Sequence, residues 1–77
     1  MTSEMKKDLE RFGRVEKDYK TWVRPWTPYY SLYCGERHRD ILVKVLSRKY
    51  EDFIFYKGEC HICNNIYMVI KFERKQS

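Results

Sequence analysis

Glycine and proline are scarce in this 77-residue chain, with three of the first and two of the second, and cysteine occurs only three times. So few chain breakers exclude a collagen-like or linker-like polymer. An odd cysteine count fits a disulfide framework poorly. No apolar run approaches the roughly 18 residues of a membrane helix. Residues 1–9 are charged throughout and lack the apolar centre of a secretory signal. The expected location is therefore the cytoplasm, or the nucleus in a eukaryotic cell, where thiols stay reduced. The sequence also lacks a glycine-rich phosphate loop and an HExxH pair, and neither of its two histidines has a Ser or Asp partner arrangement. The expectation is a protein that is not an enzyme and takes no small-molecule substrate.

What is present is apolar and aromatic, at 43% and 17% of the residues, which is the composition of a folded domain. The length suits one domain over 1–77. A chain this short buries only about 60% of the surface its unfolded form exposes, so a metal or a partner is a common addition. Sixteen Lys and Arg against eleven Asp and Glu leave a charge of +5, interspersed rather than gathered in a polybasic tail. Such a balance favours polyanions or acidic surfaces as partners.

Hydrophobic periodicity predicts an α+β fold. Over 3–23, Met5, Leu9, Phe12, Val15, Tyr19, Trp22 and Val23 share one helical face, with Ser3 as the cap and Pro25 as the stop. Two prolines make 24–33 an extended connector. Residues 40–52 fit a helix capped by Asp40 better than a strand, although the β-branched residues keep the strand open. Segments 53–56 and 66–72 are rich in strand formers and predict an antiparallel hairpin. The zinc-binding part is expected over 34–72, and 73–77 reads as a disordered tail.

Cys60-x-x-Cys63, followed by Asn64-Asn65, resembles the zinc knuckle of zinc-ribbon and treble-clef domains. The resemblance covers about eight residues and implies a CxxC turn at a hairpin tip, with Asn64 in the left-handed conformation. Cys34-x3-His38 offers a second pair with donors on one side of a turn. Together these residues predict one structural zinc ion held by Cys34, His38, Cys60 and Cys63, a closed Cys3His site. His61 is the competing imidazole.

Arg37, Arg39, Lys44 and Arg48 form a basic group beside that expected site, and Arg24 and Trp26 lie in the aromatic connector. Such residues suit phosphate contacts and ring stacking. The expected role is a zinc-stabilised module engaging nucleic acid, or a protein of a transcription or translation complex. The alternative is a small adaptor or inhibitor, of the kind found in viruses and phages, binding one protein through the aromatic segment and the N-terminal helix.

Overall fold

The computed structural model describes residues 1–20 and 24–75, with side chains described outside 18–27. The elements run α1 (Ser3–Glu10), β1 (Arg14–Lys20), β2 (Arg24–Tyr33), α2 (Glu36–Lys49), β3 (Phe53–Ile62) and β4 (Asn65–Arg74). The four strands make one antiparallel sheet in the order β1-β2-β4-β3. Because β4 is antiparallel to both neighbours, β2 and β3 run parallel with β4 inserted between them. Helix α2 is the crossover that such a parallel pair requires. The α+β expectation stands at this level.

The single helix expected over 3–23 is corrected. Helix α1 stops at Glu10, and its cap is Thr2 rather than Ser3, with the Thr2 hydroxyl accepting the Met5 N–H at 3.2 Å. Gly13 explains the break. A Cβ there would lie 2.0 Å from the Tyr33 carbonyl oxygen, so the chain passes the end of β2 at a distance only glycine permits. Beyond it, Val15 turns to the core while Arg14 and Glu16 are exposed, a period of two rather than 3.6. Trp22 and Val23 lie outside the described residues.

The connector expected over 24–33 is also corrected, since it is strand β2. Its prolines are tolerated because β4 pairs with β2 only at Tyr30, Ser31 and Leu32. The earlier part of β2 is therefore an edge, where a missing N–H costs little, and the register with β1 shifts there between Tyr19 and Lys20. The helix expected over 40–52 is present but begins at Glu36, so Asp40 lies inside it and Gly35, at φ 80°, precedes it.

The expected hairpin is present and longer than its apolar segments. Strands β3 and β4 pair without a bulge from Phe53 opposite Arg74 to Ile62 opposite Asn65. Cys63 and Asn64 alone form the loop, at φ 49° and 67°, as a two-residue turn twisted to match its strands demands. The disordered tail expected from residue 73 is corrected too. Arg74 is still in β4, and the Lys75 N–H reaches the Asp52 carbonyl at 2.8 Å. Residues 76 and 77 lie outside the described residues.

One side of the sheet carries the core. Met5 and Leu9 of α1 and Leu42 and Leu46 of α2 bury against Tyr30, Leu32, Phe55, Ile70 and Phe72. Phe72 is fully buried, with its ring stacked on Tyr30 at 5.1 Å and on Phe55 at 5.2 Å. Alternation sends Ile54, Tyr56, Cys60, Ile62 and Tyr67 to the other side, which no helix among the described residues covers. No helix among them is long and apolar enough to cross a membrane.

Candidate nucleic-acid interface

The sheet separates the residues expected to hold zinc. Cys34, just past the end of β2, packs against the core side, where burial pushes its thiol up. Cys60 is a strand residue on the opposite side, its sulfur 3.8 Å from the Ser31 hydroxyl. Hydrogen bonding to Cys60, followed by burial, pushes the Tyr33 phenol up to about 12. Cys63 is exposed in the turn, and His38 is exposed on α2. Among the described residues no group of three or more His, Cys, Asp or Glu side chains could hold a metal ion. This overturns the zinc site at Cys34, His38, Cys60 and Cys63, the knuckle resemblance, and the zinc-module function built on them. The physical reason is the strand register. Pairing continues through Cys60 to Ile62, so the CxxC spans a strand end and a two-residue loop instead of a knuckle. His61 does not rescue the site, since its imidazole lies 3.6 Å from the Glu59 carboxylate.

The basic group fares differently, and α2 decides it. Acidic Glu36 in the first turn and Arg48 and Lys49 in the last complement the helix dipole. Leu42 and Leu46, four apart, are its buried residues. The opposite side therefore presents Arg37, Ile41, Lys44, Val45 and Arg48, all exposed, at helical spacings of i, i+4, i+7, i+8 and i+11. Ile41 is 65% and Val45 49% exposed.

Two nearby acids, Asp40 and Asp8, are already engaged. Asp40 takes Lys57 at 2.6 Å, and that ammonium, through its hydrogen bond and charge, holds the carboxyl below the usual range. Asp8 takes Lys49 at 2.7 Å and the Tyr50 hydroxyl, which together hold its carboxyl down. Arg37, Lys44 and Arg48 make no ion pair among the described residues.

Arg39 leaves the group. Its guanidinium turns to the sheet, with Nη1 donating to the Gly58 carbonyl at 3.0 Å and meeting the Met68 sulfur at 3.2 Å, while Nε is buried without a partner. Arg24 and Trp26 lie on β2, with side chains outside those described.

Two contributors escaped the sequence reading. Ile41 and Val45 are apolar like Leu42 and Leu46, yet only the latter pair is buried, and the former stand exposed among the cations. Phe12, 44% exposed, and Arg11 line a shallow groove with His38 and Ile41 beside the stripe. The spacing of Ile41 and Val45 with Arg37, Lys44 and Arg48 was the available signal. Comparison of the chain with protein-family models, with curated proteins and with solved structures finds no match.

Proposed function

We propose that this chain is a metal-independent binding module that takes the backbone of a nucleic-acid duplex along the outward stripe of α2. The observation that carries the reading is the set of three cations, Arg37, Lys44 and Arg48, left without carboxylate partners on one helix face. Arg37 and Arg48 are eleven residues apart, which is about 16 Å along a helix axis. Flexible side chains at that separation suit phosphates on the two rims of a major groove about 12 Å wide. Ile41 and Val45 lie between them, where small apolar groups can meet thymine methyls. Backbone contacts of this kind position a protein, and they carry little sequence information by themselves.

Salt titration tests it. Three phosphate contacts on a duplex predict a slope of about −2.7 in log affinity against log salt. Replacing Arg37, Lys44 and Arg48 together with Ala should abolish most binding and flatten the slope, with the circular dichroism spectrum unchanged. A wild-type protein that ignores duplex DNA at low salt, or a triple variant that binds as well, would refute the reading.

A protein partner is the second reading, and the exposure of Phe12, Ile41 and Val45 favours it. An acidic amphipathic helix would set its apolar residues in the groove and its carboxylates on the same cations. Affinity for such a partner would fall on Phe12→Ala, while duplex binding would not.

A further inference from the structure

The two edges of the sheet, β1 and β3, are built differently. Strand β1 carries five charged residues among its seven and shifts register between Tyr19 and Lys20, devices that keep an edge from pairing further. Strand β3 is ten residues long, holds to β4 without a bulge and contains no proline. Its parity is fixed at the open end of the hairpin. There the Asp52 carbonyl accepts the Lys75 N–H at 2.8 Å, and the Phe53 N–H turns away to the Tyr50 carbonyl at 3.1 Å. Even-numbered residues therefore bond to β4, and odd-numbered ones aim their N–H and C=O outward. For Phe55, Lys57, Glu59 and His61 these outward groups have no backbone partner among the described residues. The run is centred on Gly58.

We propose that β3 pairs with the β3 of a second copy, antiparallel and about a two-fold axis at Gly58, so that two sheets become one. In this register Lys57 lies opposite Glu59 of the other copy, and Phe55 opposite His61. Each of the four residues then exchanges both backbone bonds with its opposite number, and no outward group of the run is left over.

The side chains agree with that register. On the open side of the sheet Ile54 meets Ile62 and Tyr56 meets Cys60, at the non-bonded positions where side chains approach most closely. On the helix side Lys57 meets Glu59. Lys57 already holds Asp40 at 2.6 Å, and Glu59 lies 3.6 Å from the His61 imidazole, so these exposed charges add little attraction. They select the register instead. Of the two neighbouring registers that keep odd residues opposite odd, one sets Lys57 opposite Lys57 and the other Glu59 opposite Glu59. Like charges directly opposite each other are unfavourable, and the pairing centred on Gly58 avoids both. The run also presents matching partners from either end, as a two-fold contact between identical chains requires, whereas a foreign strand imposes no such symmetry. No residue of the α2 stripe takes part, so loss of duplex binding would leave the pairing untouched.

One added strand pair is smaller than a standard interface, which places the dimer among weak and transient ones. Sedimentation velocity without nucleic acid, from about 10 µM to about 1 mM protein, covers that range of affinity. Wild-type protein should pass from monomer to dimer within it. Glu59→Pro removes an outward N–H and sets a ring on the edge, while the β3–β4 ladder keeps its bonds. Glu59→Lys changes only an exposed residue of the monomer but sets like charges opposite each other in the dimer. Each should raise the dissociation constant at least about tenfold. Exchanging both residues, Lys57→Glu with Glu59→Lys, restores opposite charges across the axis and should return association to within about threefold of wild type. If Glu59→Pro fails to fold, Glu59→Lys and the exchange decide the matter. A wild-type chain that stays monomeric to the top of the range overturns the proposal, and the edge is then free for a foreign strand. So does a dimer that both single variants leave intact. An exchange variant no tighter than Glu59→Lys overturns the register.

Discussion

The two sides of the sheet draw on the same residue types and use them in opposite ways. On the helix side, Leu32, Ile70 and Phe72 are fully buried under α1 and α2. On the other, Ile54, Ile62 and Tyr67 stand exposed with no described element above them. Hydrophobicity does not distinguish the sets, and strand parity does. Ile54 and Phe55 are adjacent in the chain, yet one faces water and the other is a core residue. Apolar content thus measures how much surface the chain needs covered, and topology measures how much it covers by itself.

Truncation on each side gives the largest expected contrast. Phe72→Ala should cost about 3–5 kcal/mol, read from the urea midpoint, because it empties the centre of the ring stack. Ile54→Ala, measured on dilute protein, should stay within about 0.5 kcal/mol of wild type. Equal losses would mean the open side is packed in the monomer. A smaller effect tests how α1 and β1 are joined. Gly13→Ala places a methyl group against the Tyr33 carbonyl and should cost about 1–3 kcal/mol by the same measurement. No loss would mean that the approach is not enforced.

The third expectation is a pH effect on the covered side. Lys49, Tyr50 and Arg11 favour the charged form of Asp8, so its folded carboxyl binds a proton less readily than the unfolded one. A group depressed in this way contributes stability that is complete above its unfolded pKa, about 3.9, and is lost as the pH falls below it. Asp8→Asn should therefore lower stability at neutral pH and flatten the acid limb of the stability profile. An unaltered acid limb would remove Asp8 from the account of how α1 is held to the end of α2.

The turn gives a smaller change of opposite sign. Cys63 adopts a left-handed conformation that side chains other than Gly, Asn and Asp resist, so Cys63→Gly should stabilise the hairpin by up to about 1 kcal/mol. The smallest effect expected is none. Chelator treatment should leave the unfolding midpoint unmoved, since neither side of the sheet gathers metal ligands among the described residues.

Local chemistry in the chain determined a good deal by itself. The strand formers on either side of Cys63 and Asn64 dictated a hairpin, and Asn64 supplied the left-handed residue its turn needed. The i, i+3, i+4 spacing of polar residues from Lys44 onward pointed to α2 in spite of its β-branched residues. What local patterns left open was decided by contacts between distant residues. Met5, Leu9, Phe12 and Val15 fit one helical face, and only the approach of Gly13 to Tyr33 turns the second half into a strand. Arg24 to Tyr33 looked like a connector because the pairing that makes it a strand comes from β1 before it and β4 some forty residues later. Cys34, His38, Cys60 and Cys63 had the spacing of two ligand pairs, but spacing along a chain does not bring pairs together. The sheet runs between Cys34 and Cys60, and a tetrahedral site requires its donors within a few ångströms of one point. Arg37, Lys44 and Arg48 line up independently of that register, because a helix brings distant positions onto one face without help from the rest of the fold.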